Sequence, residues 1–346
     1  MDSNMIELDG SLGGGQVLRT ALTLSMITER AFRMRRVRAT RRLPGLQRQH
    51  LTAVLAAMEI CGATAEGAEL GSETLAFRPG SIGAGEYRFD IGSAGSATLV
   101  LQTLLPALLQ ASVPCRIRVC GGTHNPLAPP FEFIERSWLP LLRRMGAQAD
   151  VQLLHHGFMP AGGGELEFTT QPSRLSPLKL PTRGELIGRR ATVLLGQLPR
   201  RIANRELEQA RKRLKLVEED LLCLELSNTS GPGNVLLLEF ACEQLTEIIS
   251  AVGHPRVRAE AVADIAIEQA RIWLGSSAAV TKYLADQLLV PIALAGRGSF
   301  TTTHLSTHME SSFSIIESFL PVRFTVHVLG DALVQVDCAQ IPGELT

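Results

Sequence analysis

The sequence predicts a mixed α/β (α+β) protein in which three repeated β-α-β-α-β-β units pack around a common axis, with a small α/β domain inserted between the second and third units. Two observations lead to this prediction. A strand, a glycine turn and a helix at residues 5–26 recur about 80 residues later at 87–110. The second helix of each copy also ends in Gly-Ala, at 62–63 and 146–147. One such unit cannot bury both of its helices alone, so the units should share a core.

Apolar periodicity and turn residues assign the elements of the first two units. The first unit should contain strands at 5–8, 32–39 and 74–78, and helices at 16–26 and 47–60. The second should contain strands at 87–91, 115–120 and 165–169, and helices at 97–110 and 131–145. In both units a glycine turn, at 9–15 or 92–95, lies between the first strand and the first helix.

The third unit is assigned to the C-terminal part of the chain. It should contain helices at 278–289 and 311–319, and strands at 300–303, 322–328 and 332–337. The second of these helices has apolar residues on one face: Phe313, Ile315, Ile316 and Phe319. A turn is expected at 291–298, which begins with proline and contains glycines.

The repeat pattern is broken at residues 182–273. This segment has its own strand-like runs, ATVLLGQLP and VLLLEF, a charged helix at 204–215, and a Ser-Gly-Pro-Gly-Asn turn at 230–234. Roughly 90 residues are enough for an independent domain. The sequence therefore predicts a large domain of residues 1–181 and 274–346, and a small inserted domain of residues 182–273.

Composition narrows the class of protein. Of 346 residues 45% are apolar, and Lys plus Arg equals Asp plus Glu at 34 each, so any site for a polyanion must be local. The six cysteines are scattered without a C-x-x-C pair, which indicates reduced thiols and argues against a zinc site. With no secretory signal and no long apolar run, a cytoplasmic protein without membrane contact is expected.

Two features could bind an anion. Glycines 13–15 precede a helix, where backbone N–H groups and the helix dipole attract negative charge, although a plain tight turn explains them equally well. Residues 33–48 carry seven arginines. One guanidinium group can donate two parallel hydrogen bonds to the oxygens of a phosphate. A solvated edge strand is the alternative explanation. The arginines are Arg33, Arg35, Arg36, Arg38, Arg41, Arg42 and Arg48.

Residues 301–324 contain two candidate nucleophiles, His304 and His308, just before the helix predicted at 311–319. A histidine in this place can present one ring nitrogen to a pocket while a neighbour holds the other. Histidines four residues apart are also common in loops without a chemical role, so this alternative stays open on spacing alone.

Two more segments could hold a nucleotide. The loop at 121–130, GGTHNPLAPP, followed by Phe131 and Phe133, could place a purine between proline and phenyl rings. Tyr283, Asp286 and Gln287 lie near one helical face, where a ring can stack on a base and a carboxylate can bind ribose hydroxyls. A structural loop and an ordinary amphipathic helix are the alternatives.

Taken together, the chain resembles the RNA 3′-terminal phosphate cyclase family over essentially its whole length. The resemblance rests on long strings in the family's order: LDGSLGGGQVLR, RRLPGLQRQHLTAV, IGSAGSATLVLQTLLPALL, GGTHNPLAPPFEFI, HGFMPAGGG, SGPGN, KYLADQLLVPIALAG and the stretch around His308. The family fold also implies three repeats and an inserted thioredoxin-like domain. The large domain is related to that of enolpyruvyl transferases.

The resemblance implies an enzyme that uses ATP in two stages. His308 would attack the α-phosphorus of ATP through Nε2, and the AMP would pass to an RNA 3′-phosphate to form an RNA-(3′)pp(5′)A intermediate. The neighbouring 2′-hydroxyl would then displace AMP and close a 2′,3′-cyclic phosphate. ATP, RNA 3′-phosphate ends and a divalent metal, Mg or Mn, are the implied ligands.

Matching the motifs position by position assigns further roles by resemblance. His308 is the catalytic residue and His304 only its neighbour. The positions that bind the nucleotide are Gly14, Gly15, Gln102, Pro129, Phe133, Tyr283, Leu284, Ala285, Asp286 and Gln287. The positions that face the phosphate and the RNA are Gln16, Arg19, Arg38, Arg41, Gln49 and His50.

Two departures from the family pattern bear on function. The first glycine loop, DGSLGGGQ, is two residues shorter than the family's, and between Ser11 and Gln16 it lacks the glutamate that helps to hold the metal. Asp9 or Glu7 could substitute, or ATP phosphates and water could hold the ion. His124 stands where an acidic residue is often found, which could alter substrate preference.

Three function classes follow from these observations. The first is an ATP-dependent cyclase with little base specificity, because arginine contacts to phosphate carry no sequence information. The second is a non-catalytic RNA-binding scaffold of ribosome assembly with the same fold. The third is an enolpyruvyl transferase, which needs no adenylate. An AMP adduct that disappears in His308→Ala separates the first class from the other two.

Overall fold

The computed structural model describes residues 5–83 and 85–342, so the extreme ends of the predicted large domain lie outside the described residues. The first unit contains a four-stranded sheet in the order β1-β2-β4-β3. Its first two strands are parallel because α1 connects them, and the remaining pairs are antiparallel. The elements are β1 Ile6–Asp9, α1 Gly15–Thr28, β2 Phe32–Arg35, α2 Arg48–Cys61, β3 Thr64–Glu66 and β4 Thr74–Arg78.

The second unit repeats this topology, with a sheet in the order β5-β6-β8-β7. Its second helix is one continuous run in which a π-helical turn, Ile134–Trp138, separates α4 from α5. The elements are β5 Glu86–Asp90, α3 Ala97–Leu108, β6 Cys115–Gly121, α4 Phe131–Phe133, α5 Leu139–Arg144, β7 Gln148–His155 and β8 Gly164–Gln171.

After β9, Leu178–Leu180, the chain leaves the repeat and forms a fourth sheet in the order β11-β10-β12-β13. Two helices cover this sheet and share a separate apolar core with it. The elements are β10 Leu186–Gly196, α6 Arg201–Leu214, a 3₁₀ helix Glu218–Asp220, β11 Leu221–Leu226, β12 Gly233–Cys242, β13 Thr246–Val252 and α7 Ala259–Leu274. That residues 182–273 fold independently as a thioredoxin-like domain remains a prediction.

The third unit then closes with α8 Lys282–Leu294, β14 Gly298–Thr302, α9 Thr307–Phe319, β15 Val322–Gly330 and β16 Leu333–Gln340. Its sheet has the order β9-β14-β16-β15, with β9 parallel to β14. Each of the three sheets thus runs first, second, fourth and third strand of its unit, and the prediction of repeated units is confirmed. The first strand of this unit, β9, was not predicted, because the intervening segment separates it from α8.

The helices of the three units pack against one another. Contacts join α1 to α3 and α9, and α8 to α9, and one apolar core extends through all three units. Shared burial of this kind explains why no single unit needs a core of its own. None of the helices in the described part of the chain is both long and apolar enough to cross a membrane.

Several element boundaries differ from the sequence prediction, and three of these differences have a clear cause in the structure. Strand β2 ends at Arg35 because Arg36 and Arg38 adopt left-handed backbone conformations, each with φ of 56°. Helix α9 begins at Thr307, four residues early, because the Ser306 hydroxyl caps it by accepting a hydrogen bond from the Met309 N–H. His308 therefore lies in the first helical turn.

The third difference is α8, which continues through Pro291 to Leu294 where a turn was expected. Proline has no N–H to donate to the carbonyl four residues before it, which here belongs to Gln287. The indole N–H of Trp138 donates to that carbonyl at 3.0 Å instead. A tertiary contact thus satisfies the group that the proline leaves free, and no sequence rule could have indicated it.

Arg183 joins the two ends of the intervening segment. Its guanidinium donates hydrogen bonds of 2.8 to 3.1 Å to four carbonyl oxygens, and it lies 4.5 Å from the centre of the Trp273 ring. The four carbonyls belong to Trp273, Leu274, Ser276 and Ala278. Residues 182–273 are therefore fastened where they leave and rejoin the repeated units.

We expect Arg183→Ala to lower the free energy of opening of residues 273–281 by about 2–4 kcal/mol, because four carbonyls lose a charged donor at once. Hydrogen exchange of the backbone amides in this stretch measures the change. The control is Arg190→Ala, which removes an exposed arginine of β10 and should have little effect. Equal protection in the two variants would contradict the assigned role.

Candidate active site

The first glycine turn lies against cationic side chains from the neighbouring elements. Gly13 and Gly14 have φ of 74° and 60°, a conformation that glycine adopts without strain. A Cβ on Gly14 would lie 2.6 Å from the Arg41 guanidinium, and one on Gly15 would lie 2.4 Å from Nε2 of His50. A Cβ on Gly13 would lie 3.0 Å from Ser311 of α9. Glycine is therefore required where the start of α1 meets these groups.

Two guanidinium groups beside this turn are not neutralised. Within residues 5–83 and 85–342, Arg19 and Arg41 have no hydrogen bond or ion pair through their guanidinium groups. Burial lowers the pKa of Arg19 to about 10. Burial, together with Arg19 and Arg38, lowers the pKa of His50 to about 3, so this imidazole is neutral. The turn is thus a concentration of uncompensated positive charge at a helix N-terminus, which suits a phosphate group.

The arginine-rich segment divides into groups with different roles. Arg33 and Arg35 lie near Glu7, at 3.3 and 3.6 Å, and Arg36 pairs with Asp9. These acids come from β1, which pairs in parallel with β2, so the segment is less acid-poor than its own sequence suggested.

Arg38 has a mainly structural set of contacts. Its guanidinium donates to the carbonyls of Leu43 and Gly45 at 2.8 and 2.7 Å and so holds the loop that carries Arg41. Burial and the nearby Arg41 lower the pKa of Arg38. Of the predicted phosphate-facing arginines, Arg19 and Arg41 are therefore the two whose guanidinium groups have no partner among the described residues.

His308 lies at the N-terminus of α9, close to the same cations. Burial and the positive charge of Arg41 lower the pKa of its imidazole below 6.5, and Arg19 and Lys282 act in the same direction. The backbone of Gly13 opposes this shift. Its Nδ1 is buried and has no hydrogen-bond partner within the described residues. At neutral pH the ring is thus uncharged, with a lone pair available for attack on an electrophile.

His304 differs from His308 in its surroundings. It is exposed, and its Nδ1 lies 3.2 Å from the Thr303 hydroxyl. Burial lowers its pKa, and Lys282 adds to the effect. Its assignment as a neighbour of the nucleophile stays a prediction.

A small cavity brings together side chains from three helices. Gln16 and Arg19 of α1, Gln102 of α3, and Asp286 and Gln287 of α8 line it. Both polar atoms of the Gln102 amide are buried without a hydrogen-bond partner in the described part of the chain. Because buried polar groups are nearly always paired, this amide is a candidate for contact with water or a bound ligand.

Asp286 links the cavity to the helix of His308. Its carboxylate accepts a hydrogen bond of 2.8 Å from Ser306, the residue that caps α9. Burial raises the pKa of Asp286 to about 7, although the Ser306 hydrogen bond favours the charged form. Part of its hydrogen-bonding capacity is thus used within the protein.

The other predicted nucleotide-binding residues are not all at the cavity. The side chains of Phe133, Leu284 and Ala285 are buried in the apolar core, so only their backbone or a ring edge could reach a ligand. Tyr283 is exposed, with Lys282 Nζ 5.0 Å from its ring centre. The carbonyl of Pro129 accepts a hydrogen bond of 2.8 Å from Thr98, which ties this loop to α3.

Gln49 contacts the second glycine turn. Its side-chain oxygen accepts a hydrogen bond of 2.9 Å from the Ser96 N–H at the start of α3. Gln49 and His50 lie next to each other in α2 and so reach the second and first glycine turns, respectively. The helix thereby fixes the distance between the turns of two different units.

His124 is a buried residue of the loop at 121–130, and its effect on substrate preference stays a prediction. Its ring is fully buried, with Nε2 2.9 Å from Glu132 and Nδ1 2.8 Å from Thr123, and it stacks on His156. This hydrogen-bonded pair lies between loop 121–130 and α4. No local pattern predicts this contact, because Glu132 lies eight residues after His124 and in a different element.

Among residues 5–83 and 85–342, the acids next to this turn already have arginine partners. Asp9 is paired with Arg36 and accepts a hydrogen bond from the Ser11 N–H, and Glu7 is near Arg33 and Arg35. Among the described residues no group of three or more His, Cys, Asp and Glu could hold an ion. The suggested substitution of Asp9 or Glu7 for the family glutamate does not fit these contacts.

Known proteins are similar to this chain over nearly its whole length. A solved structure of the enolpyruvyl transferase NikO from Streptomyces tendae aligns with 96% of this chain and 48% of that chain, but at 13% identity and a TM-score of 0.35 it supports no argument. Two curated relatives are named RNA 3′-terminal phosphate cyclase. The one from Pseudomonas fluorescens is 57% identical over 98% of this chain and 99% of its own, and the one from Ectopseudomonas mendocina is 54% identical over 98% and 100%.

The sequence profile of one family, RNA 3′-terminal phosphate cyclase, matches residues 11–326. The match runs from the first glycine turn through α9 and into the strand after it, so it includes Arg19, Arg41, His308 and the residues that line the cavity. With the level of identity to the curated relatives, it leads to one conclusion: this chain belongs to the RNA 3′-terminal phosphate cyclase family.

Proposed function

We propose that this enzyme converts an RNA 3′-terminal phosphate to a 2′,3′-cyclic phosphate in an ATP-dependent reaction with a covalent histidine-AMP intermediate. The observation that carries the proposal is the neutral His308 imidazole held beside Arg19 and Arg41, whose guanidinium groups have no acceptor in the described structure. A nucleophile that is surrounded by unpaired cations suits attack on a polyanionic electrophile.

In the first step, Nε2 of His308 attacks the α-phosphorus of ATP. A nitrogen–phosphorus bond forms, the bond from the α-phosphorus to the bridging oxygen breaks, and pyrophosphate leaves. Arg41, Arg19 and the N–H groups at the start of α1 would stabilise the charge on the phosphates. The unpaired amide of Gln102 would contact the nucleotide from the cavity.

In the second step, an oxygen of the RNA 3′-phosphate attacks the phosphorus of the adenylate. The nitrogen–phosphorus bond breaks, His308 is regenerated and the RNA-(3′)pp(5′)A intermediate forms. Arg41 is exposed and free to bind the incoming phosphate, whereas Arg19 lies deeper. Contacts to phosphate oxygens position a substrate without reading its bases, so little sequence preference is expected.

In the third step, the 2′-hydroxyl attacks the 3′-phosphorus, loses its proton and displaces AMP. The ring closes readily because the hydroxyl is already next to the phosphorus and the leaving group is a phosphoric anhydride. No additional protein nucleophile is needed. A divalent ion would have to be held by ATP phosphates and water, since the glycine turn supplies no free carboxylate.

A cytoplasmic location is part of the proposal. All six cysteines are free, and none of the described helices could span a membrane. Reduced thiols are the normal state in the cytosol, which agrees with this location.

The first prediction concerns the nucleophile. His308→Ala should abolish the labelled AMP adduct and lower the rate of cyclisation by at least about a thousandfold, because no other group can form the adenylate. His304→Ala is the matched control and should retain the adduct. The measurement is gel detection of protein labelled from ATP at its α-phosphorus. A persistent adduct in His308→Ala would remove the basis of the proposal.

The second prediction concerns pH. Adenylation needs the neutral imidazole, so the rate should fall only when the pH drops through a His308 pKa that lies below 6.5. Arg41→Ala removes a positive neighbour, raises this pKa and should move the loss of activity to higher pH. Single-turnover adenylation across pH 5–9, with Arg33→Ala as the control, measures the shift. Identical pH profiles would show that Arg41 does not act on His308.

The third prediction concerns RNA. At pH 8, where His308 is neutral in either protein, Arg41→Ala should bind 3′-phosphorylated RNA about tenfold more weakly, because a charged hydrogen bond to phosphate is lost. The slope of log K against log salt should decrease by about 0.7. Arg33→Ala, whose guanidinium is already next to Glu7, should change little. Fluorescence anisotropy gives both quantities, and a 3′-hydroxyl RNA should show no difference between the variants.

A further inference from the structure

A buried carboxylate connects the 182–273 segment to a helix of the site. Glu247 on β13 is fully buried, and its two oxygens accept hydrogen bonds from the backbone N–H of Thr281 at 2.9 Å and from its hydroxyl at 3.2 Å. Thr281 is the N-cap of α8, and its hydroxyl oxygen accepts from the Leu284 N–H at 3.4 Å. The start of α8 is therefore held from outside the three repeated units.

The contacts continue from α8 to the nucleophile. Asp286, in the second turn of α8, accepts a hydrogen bond from Ser306, and Ser306 caps α9 through the Met309 N–H. His308 lies within this capped turn. Glu247, Thr281, Asp286 and Ser306 thus connect β13 to the first turn of α9 through hydrogen bonds and two helix caps.

A purely structural role does not explain a carboxylate in this place. None of the described cations forms an ion pair with Glu247, and burial raises its pKa to about 8. Burying an acid without a charged partner is costly, and an apolar residue of similar volume often packs there with no loss of stability. What a carboxyl group adds is direction, because two oxygens bonded to the same N-cap fix both the position and the rotation of the helix start.

We infer that Glu247 is a positioning residue for the adenylation step: through Thr281 it fixes the orientation of α8, and so aligns the cavity residues Asp286 and Gln287 with His308. This inference rests on the proposed function, in which His308 forms the adenylate. It also gives the 182–273 segment a task at the site, although none of its residues lines the cavity.

The experiment compares Glu247→Ala with Glu206→Ala. Glu206 is a matched control: it is a second fully buried glutamate of the same segment, its partner is the Asn234 amide, and burial raises its pKa to about 7. Single-turnover adenylate formation is measured against ATP concentration, together with thermal unfolding. In Glu247→Ala, kcat/KM for ATP should fall about tenfold, because a small misplacement of reacting groups is costly. Folded Glu206→Ala should keep the wild-type rate even if it melts earlier.

Glu247→Gln separates geometry from charge. The amide oxygen can accept from the Thr281 N–H and the amide nitrogen can donate to the hydroxyl, so the rate should stay within about twofold of wild type. If Glu247→Ala yields no folded protein, Glu247→Asp takes its place, since it withdraws the carboxylate by one methylene. Wild-type kinetics in the truncated variant would overturn the inference, and so would an equal loss of rate in Glu206→Ala.

The two proposals can fail separately. If the wild-type protein forms no adduct, the proposed function is wrong, and the dissociation constant for ATP from calorimetry then decides the inference. It should be about tenfold weaker in Glu247→Ala than in wild type and unchanged in Glu206→Ala. Equal affinity in all three proteins would refute the positioning role.

Discussion

Uncompensated positive charge around one glycine turn is the constraint on which the rest of the structure depends. The guanidinium groups of Arg19 and Arg41 lie beside the start of α1 without acceptors among the described residues. Arg19 lowers the pKa of both His50 and His308, and Arg41 lowers the pKa of His308. Such an arrangement is unfavourable in the free protein and becomes favourable when a polyanion enters. The glycines let the backbone come close enough for its N–H groups to share the same ligand.

The repeated architecture explains how these groups can be held together. Arg19 comes from a helix of the first unit, Gln102 from the second, and Asp286 and His308 from the third. Each unit contributes a helix start, and the shared core fixes the starts relative to one another. A single unit could not do this, because its own helices need burial before they can present polar groups. The packing that stabilises the shared core therefore also brings the residues of the site together.

Caps and satisfied carbonyls do the finer positioning. Ser306 determines where α9 begins, and Trp138 lets α8 continue past Pro291 by donating to the carbonyl of Gln287. Glu247 and Arg183 apply the same principle at the borders of the 182–273 segment. In each case a polar side chain satisfies a backbone group in or next to a helix, and the position of the helix follows.

The sequence by itself determined the three units, the glycine turns and most helix positions, because apolar period and turn residues are local properties. The choice of His308 over His304 came from the family resemblance and stays a prediction. Tertiary structure alone decided that Glu7 lies near Arg33 and Arg35, that Phe133 and His124 are buried, and that β9 belongs to the third unit. Those outcomes depend on which residues meet across strands and helices far apart in the chain. Pairing of that kind is set by packing, and no local pattern encodes it.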